Sequence, residues 1–129
     1  MSAPLPKSIS FNILNGANVG DEGTIMNAVL TSGKWQLSGQ NVGTVNKIKF
    51  NRSLAATFAA VETSPGDEVN GSFEMYENGT QIAEITFAIP FSGENKFNLT
   101  PTNPMYVCNH NGFTSSGSPV VAISCNKTS

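Results

Sequence analysis

The chain has 129 residues, of which 39% are hydrophobic and only 12% are charged. Seven Lys and Arg against nine Asp and Glu give a formal net charge of −2, which argues against the cation-lined groove that a nucleic-acid partner needs. The apolar runs are too short for a bilayer span, and length and composition together predict one globular domain over residues 1–129.

Apolar and polar residues alternate with a period of two through much of the chain, the pattern of half-buried strands. Ile9, Phe11 and Ile13 alternate with Ser and Asn, and turn clusters of Gly, Asn, Ser and Pro separate such segments. No stretch carries a sustained helical period. The pattern predicts an all-β, antiparallel two-sheet β-sandwich of about nine or ten short strands. These strands are expected at residues 8–13, 24–31, 34–38, 45–50, 54–61, 71–76, 81–89, 96–99, 106–109 and 119–125.

One predicted hairpin allows the register to be argued. A two-residue loop at residues 78–79 would pair Phe73 with Glu84, which is wrong for a core face. A three-residue loop at residues 77–79 pairs Phe73 with Ala83 instead and keeps the apolar residues of both strands on one side. We therefore expect the three-residue loop.

The two cysteines are too few for a disulfide framework or a structural zinc site. The midpoint between Cys108 and Cys125 falls between Ser116 and Gly117, the expected turn of a terminal hairpin. Two strands joined there would place the cysteines face to face, so a disulfide is geometrically feasible. Two buried thiols are the alternative.

Catalytic and metal-binding chemistry finds little support in the sequence. His110 is the only histidine, and no nucleophile-elbow motif accompanies it. Glu62, Asp67 and Glu68 lack the spacing of a calcium loop, and solvated loops are the better interpretation. The prediction is a protein that is not an enzyme and that has no metal site or cofactor.

The first residues, Met-Ser-Ala-Pro-Leu-Pro-Lys, contain no apolar segment after a basic start. An intact secretory signal is therefore not expected. The chain is then cytoplasmic, leaves the cell without a signal, or has had its signal removed.

Four segments carry motifs that occur together, in this order, in one known family. Residues 25–34 follow the pattern Ile-x-Asn-x-x-x-x-Trp-Gly-Lys with Ser32 at the tryptophan, and residues 70–75 are similar to a Gly-Thr-Phe-Asp-Leu strand. Residues 89–95 are similar to Cys-Pro-Trp-Gly-Ser-x-x-Asn with Phe91 at the tryptophan, and residues 105–123 are similar to a closing hairpin. In these motifs the chain resembles the aegerolysin family.

The resemblance implies a β-sandwich that binds membrane lipids, often sphingolipid or sterol assemblies, and that takes part in cytolysis beside a larger pore-forming partner. The family is rich in tryptophan, several of which contact lipid, whereas this chain has Trp35 alone. Its Cys-Gly-Arg segment is matched here by Ala60, Val61 and Glu62. The expected function is a lipid-binding, membrane-associating protein, peripheral on its target membrane, that serves as the targeting component of a two-component cytolysin.

The expected contact residues are rings and cations that suit a membrane surface, because an aromatic ring can enter the acyl boundary while its loop stays hydrated. Pro90 marks a strand end, which favours exposure of the next residue. Core packing is the alternative for each ring and is favoured for Trp35. The candidates are Phe91, Pro90, Trp35, Tyr106 and Phe113, with Lys47 and Lys49.

Lys47 and Lys49 alternate with apolar residues, so both ammonium groups are expected on one strand face, where they can meet an anionic headgroup. A solubilising outer face or a protected edge strand is the simpler interpretation.

Two other functions compete with lipid binding. A lectin-like module that binds glycans is the first alternative, because Asn, Ser and aromatic loops also suit sugars, and an interaction protein that uses its sheet edges is the second. Exposed aromatics beside cations would favour lipid, and exposed aromatics beside Asn or Asp would favour sugar.

Overall fold

The computed structural model describes residues 7–15, 22–51, 54–64 and 66–127, apart from the side chains of Asn15 and Lys127. Over these residues the chain forms strands and no helix, so none of the described segments is a helix that could cross a bilayer. The all-β prediction is confirmed. The eleven strands are β1 (Ser8–Asn15), β2 (Gly23–Ser32), β3 (Lys34–Leu37), β4 (Gln40–Val42), β5 (Lys49–Phe50), β6 (Ala56–Val61), β7 (Val69–Glu77), β8 (Thr80–Ile89), β9 (Lys96–Pro101), β10 (Tyr106–Asn111) and β11 (Val120–Lys127).

The strands form a sandwich of two sheets, as predicted. One sheet has six strands in the order β10-β11-β1-β6-β3-β4, and the other has five in the order β5-β2-β7-β8-β9. All pairs are antiparallel except β1 and β11, which run parallel with Ser10 opposite Val120. No hairpin joins the first and last strands, so no turn sets their relative direction. The short edge strand β4 was not expected from the sequence.

Aromatic side chains from both sheets meet at the centre of the sandwich. The ring of Phe11 lies 4.9 Å from that of Phe73 and 5.2 Å from that of Phe87, and Phe58 lies 5.2 Å from Phe73. Trp35 packs against Phe58 at 5.8 Å and is only 4% exposed. Such ring pairs contribute about 0.5–1.5 kcal/mol each beyond their burial. Trp35 is therefore a core residue, as its alternation in sequence favoured.

The hairpin of β7 and β8 corrects the predicted loop. Residues 78–79 form a two-residue turn with φ angles of 52° and 82°, as a type I′ turn requires. A β-bulge at Ile82 then shifts the register, so Phe73 pairs with Ile85 and not with Ala83. The three-residue loop was wrong because the bulge, and not the turn, brings the apolar residues to one side.

The terminal hairpin brings the two cysteines together. Cys108 on β10 lies directly opposite Cys125 on β11, with their Cα atoms 4.0 Å apart, and a disulfide joins them. The bridge that the spacing made feasible is present. It fastens β10, an edge strand, to the strand beside it.

Candidate functional site

A large concave surface lies at one end of the sandwich, where β2, β6 and β8 finish. This "end cleft" has a volume of about 590 Å³ and is formed by the β2–β3 bend, the β6–β7 loop and the β8–β9 loop. Of the described residues, Leu30, Thr31, Ser32, Gly33, Thr63, Gly66, Asp67, Glu68 and Phe91 line it. The end of the sandwich that holds the end cleft is called the cleft end below, and the other is called the opposite end.

The first wall of the end cleft is the end of β2 with Gly33, and it follows a bulge in that strand. Asn27 has a positive φ of 53°, the register with β7 shifts beside it, and its amide donates to Glu74 Oε1 at 2.8 Å. The backbone N–H of Ala28 donates to Asn46 Oδ1 at 2.8 Å. After the bulge the strand runs to Gly33, whose φ is 110° and where an added Cβ would lie 3.0 Å from the Val61 carbonyl oxygen. Only glycine fits that close approach without strain.

The second wall is the β6–β7 loop, and it carries two exposed carboxylates. Thr63 Oγ1 donates to Asp67 Oδ2 at 2.9 Å, and the Asp67 N–H donates to the Ser64 carbonyl at 3.0 Å. The Asn70 amide donates to Glu68 Oε2 at 3.0 Å. These bonds hold both carboxylates in place. The lining residues of the end cleft that the structure describes thus include two carboxylates and no cation.

Phe91 forms the third wall and is the exposed aromatic ring of the site. Its side chain is 63% exposed, and a Cβ added at Gly66 would lie 3.4 Å from its Cε2. The Lys7 ammonium lies 5.4 Å from the ring centroid and donates to the carbonyl oxygens of Pro90 and Phe91. The ring is therefore held between the start of β1 and the β6–β7 loop while most of it faces solvent.

A buried amide ties the neighbouring loops together. The Asn95 side chain is 7% exposed and donates to the carbonyls of Thr114 at 3.2 Å and Gly117 at 3.1 Å. Its backbone N–H donates to the Ser115 carbonyl at 2.9 Å. The β8–β9 and β10–β11 loops are thus joined, which fixes the end of the segment that carries Phe91.

The structure brings some of the predicted contact residues to this end. Pro90 and Phe91 lie in the β8–β9 loop beside the end cleft. Phe113 follows β10 at the same end, but it is half-buried and stacks on Phe97 at 5.5 Å. Its ring does not line the end cleft.

The remaining candidates lie elsewhere. Trp35 is in the core. Tyr106 lies at the opposite end and donates its hydroxyl to Glu77 Oε2. Lys49 on β5 is also at that end, 3.2 Å from Glu22 Oε1. The structure thus separates Tyr106 and Lys49 from Phe91.

The expectation that Lys47 and Lys49 share a strand face is wrong. Lys47 lies in a turn with a φ of 71°, and its N–H donates to the Ile25 carbonyl at 2.7 Å. Only Lys49 and Phe50 form a strand there. The turn replaces the predicted start of this strand because both backbone groups of Ile25 on β2 bond to it. The Ile25 N–H donates to the Ile48 carbonyl, and the Ile25 carbonyl accepts from the Lys47 N–H.

The acidic residues do not gather as a calcium site would require. Over the described ranges, no group of three or more His, Cys, Asp or Glu side chains is placed to hold a metal ion. Glu62 is not a solvated loop residue, because it is 8% exposed and its Oε2 has no hydrogen-bond partner among the residues that the structure describes. His110 is exposed and its ring contacts Phe97 at 4.8 Å.

The chain is similar to known proteins in both sequence and fold. The sequence profile described as Aegerolysin matches residues 7–126. The chain belongs to the aegerolysin family. Family membership supports a lipid-binding role. No curated protein sequence gives a match.

Two solved structures share the aegerolysin fold of this chain. RahU, in complex with a Tris molecule, is 20% identical with a TM-score of 0.85, and the match covers 95% of this chain and 96% of RahU. IP-1A from Alcaligenes faecalis is 21% identical with a TM-score of 0.74, covering 96% of this chain and 91% of IP-1A. At these identities the likeness establishes the fold.

The aegerolysin motifs contain a signal for the end cleft that residue-by-residue analysis missed. Ser32 and Phe91 both stand where those motifs carry tryptophan, and both line the end cleft. In the sequence these two residues are separate features, because 58 positions of chain intervene between residues 32 and 91. Asp67 and Glu68 have the sequence character of solvated loop acids and Thr63 belongs to no motif, so none of the three indicates a binding site by itself.

Proposed function

We propose that this aegerolysin is a peripheral membrane protein that docks by its cleft end. The end cleft takes an ammonium-bearing lipid headgroup, and Phe91 enters the acyl boundary beside it. The observation that carries the proposal is one concave surface that combines two carboxylates with an exposed ring at its rim and has no cation among its described lining residues.

The carboxylates of Asp67 and Glu68 suit a cationic group better than the ring of Phe91 does. Lys7 already places its ammonium 5.4 Å from the ring centroid, so the negative face of that ring is partly used. Exposed ion pairs contribute roughly 0.2–1 kcal/mol each. Two such pairs, with hydroxyl groups from Thr31, Ser32 and Thr63 nearby, give a weak site that selects headgroup chemistry.

Phe91 supplies the apolar part of the contact. Complete burial of a large apolar side chain contributes about 1.5–3 kcal/mol, and this ring is 63% exposed, so about 1–2 kcal/mol remains to be gained. Headgroup and ring contacts together give modest affinity for one lipid, which repeated headgroups on a membrane surface increase.

Vesicle flotation tests the proposal. Vesicles with phosphocholine headgroups should bind the wild-type protein, and the variant Asp67→Asn/Glu68→Gln should bind about 2- to 30-fold more weakly. The matched control is Glu84→Gln, which removes one exposed charge from the outer face of the five-stranded sheet. Soluble phosphocholine should compete for the wild-type protein. Equal binding by Asp67→Asn/Glu68→Gln and wild type would contradict an ammonium site.

Vesicle flotation and a glycan array together separate lipid binding from the lectin-like alternative. Phe91 lies beside the cation of Lys7, which favours lipid, and it also shares the end cleft with Asp67, which favours sugar. The neighbours of the ring therefore do not decide between the two ligands. A glycan-array signal without vesicle binding would replace the proposal with the lectin-like function. Vesicle binding without a glycan signal would support it.

The finer proposal is that the lipid is a sphingolipid in a sterol-containing membrane and that a larger partner protein forms the pore. The family resemblance supports both. The purified chain should then bind such vesicles without releasing an entrapped dye at a low protein-to-lipid ratio. Dye release by the chain alone would contradict the need for a partner.

A further inference from the structure

We propose that Lys7 is a positioning residue for Phe91: its ammonium fixes the start of the β8–β9 loop and holds the ring at the rim of the end cleft. The inference rests on the proposed function, since it concerns how the membrane contact is presented. Lys7 does not line the end cleft, and it lies outside the aegerolysin motifs quoted above.

The first step is the set of contacts that the ammonium makes. Lys7 Nζ donates to the carbonyl oxygens of Pro90 and Phe91, which are adjacent in the chain, and also lies 5.4 Å from the Phe91 centroid. One cation thus contacts both the backbone and the side chain of the same loop. Hydrogen bonds from charged donors are roughly twice as strong as neutral ones.

The second step is that the backbone of Lys7 is itself fixed. Its carbonyl accepts from the Glu62 N–H at 3.0 Å, and the next N–H, of Ser8, donates to Ser118 Oγ at 3.1 Å. Ser8 then begins β1, which pairs with β6 on one side and β11 on the other. Lys7 therefore connects the six-stranded sheet to the β8–β9 loop of the five-stranded sheet.

The third step is that the β8–β9 loop needs such a constraint. Pro90 has no N–H to donate, and residues 91–93 form a bend outside any strand with Gly93 at a φ of 101°. Asn95 fixes the far end of this loop through the Thr114 and Gly117 carbonyls. Lys7 is the described side chain that fixes the near end, where the exposed ring is.

A ring that is already held loses little conformational freedom on binding. Immobilising a side chain with several rotamers costs roughly 0.5–1.5 kcal/mol, and that cost is avoided when Lys7 and Gly66 hold the ring beforehand. The ammonium of Lys7 should therefore increase membrane affinity without contacting lipid.

The test compares Lys7→Met, which keeps the aliphatic stem and removes the ammonium, with Lys7→Arg, which restores donors for both carbonyls. Lys96→Met is the matched control, because it removes the same charge from an exposed position on β9. Thermal unfolding establishes that each variant is folded. Lys7→Met should weaken vesicle association about 2- to 12-fold, Lys7→Arg should recover most of it, and Lys96→Met should match the wild type.

A double substitution distinguishes positioning from direct lipid contact. If Lys7 acts through the ring, Lys7→Met should add no further loss in a Phe91→Ala background. Equal losses in the wild-type and Phe91→Ala backgrounds would overturn the proposal and indicate a direct contact of Lys7 with the membrane.

A nuclear magnetic resonance measurement without lipid separates this inference from the proposed function. The Phe91 ring lies against Gly66, so it should shift the Gly66 Hα resonances by its ring current. Lys7→Met should lose most of this shift and Lys7→Arg should keep it. An unchanged Gly66 shift in Lys7→Met overturns the inference even if vesicles bind. Failure of the wild-type protein to bind any vesicle overturns the proposed function, while the Gly66 shift still decides whether Lys7 positions the ring.

Discussion

The cleft end and the opposite end of this sandwich are both built from loops between strands, yet their polar groups are used differently. At the cleft end the carboxylates of Asp67 and Glu68 are exposed, and the ring of Phe91 is 63% exposed. At the opposite end the carboxylate of Glu77 is 2% exposed and accepts a hydrogen bond from Tyr106. The carboxylates of Asp67 and Glu68 thus face solvent, whereas that of Glu77 is used within the fold.

Under the proposed function, stability and recognition depend on different ends of this fold. The opposite end also holds the disulfide, near the start of β10 and the end of β11. Substitutions there should lower the free energy of unfolding and leave binding by the folded protein unchanged. Substitutions of the exposed residues at the cleft end should weaken binding and leave the free energy of unfolding nearly unchanged.

The largest expected effect is on the disulfide. Closing a loop with a sequence separation of 17 residues should stabilise the fold by about 3 kcal/mol on the chain-entropy estimate. Urea unfolding with and without a reductant measures this difference. Cys108→Ser/Cys125→Ser serves as the control, since the reductant should not change its unfolding. Equal stability of the oxidised and reduced wild type would contradict a structural role for the bridge.

Phe91→Ala should have its effect on binding. The lost contact of about 1–2 kcal/mol corresponds to roughly 5- to 30-fold weaker vesicle association. The free energy of unfolding should change by less than about 1 kcal/mol, because the ring is mostly exposed and loses only the Lys7 and Gly66 contacts. Flotation and thermal unfolding of the same variant measure both. A large loss of stability would remove Phe91 from the contact surface.

Tyr106→Phe tests the opposite end with a change of one oxygen atom. It removes the hydroxyl donor to the buried Glu77 carboxylate, which should lower the free energy of unfolding by about 1–3 kcal/mol. Vesicle association should stay at the wild-type level. Weaker vesicle association by the folded variant would mean that the opposite end also contacts the membrane, and the comparison of the two ends would fail.

The smallest expected effect is on the pKa of Tyr76, on the outer face of the five-stranded sheet. Its hydroxyl donates to Glu74 Oε1 at 2.9 Å, and this hydrogen bond, with burial and the charge of Glu74, raises the pKa of Tyr76 above its ordinary value. The folded state therefore holds the phenol proton more tightly. The resulting stability is present below the unfolded pKa of about 10 and is lost as the pH rises through the folded pKa.

Ultraviolet titration of the tyrosines tests this assignment. Glu74→Gln should lower the pKa of Tyr76 towards its ordinary value, while Glu84→Gln, one strand away, should change it less. Because Tyr76 is remote from the end cleft, neither variant should alter vesicle binding. An unchanged titration in Glu74→Gln would show that the hydrogen bond does not raise the pKa of Tyr76.

Some features of the molecule follow from the sequence because they depend on local patterns. The alternation of Ile9, Phe11 and Ile13 fixes which side of β1 is buried, and the midpoint of the cysteines locates the terminal hairpin. The order of motifs identifies the family over nearly the whole chain. The separation between Phe91, in a loop after a proline, and Trp35, within an alternating strand, also followed from local context.

Other features depend on contacts between distant segments, and only the tertiary structure decided them. The bulge at Ile82 corrects a register that turn chemistry alone predicts wrongly, because packing against the other sheet outweighs the local pairing preference. The burial of Glu62 likewise depends on the residues around it and not on its own sequence neighbours.

The end cleft itself is a product of tertiary structure. Ser32 ends β2, while Asp67 and Phe91 lie in two different loops. Each has an ordinary local explanation as a strand end, a solvated acid or a ring after a proline. The sequence by itself determined most of the strands, the family and a strand end at Pro90. Which loops share one end, and that Lys7 reaches Phe91 there, was decided by the stacking of the two sheets, since that stacking sets distances between residues far apart in the chain.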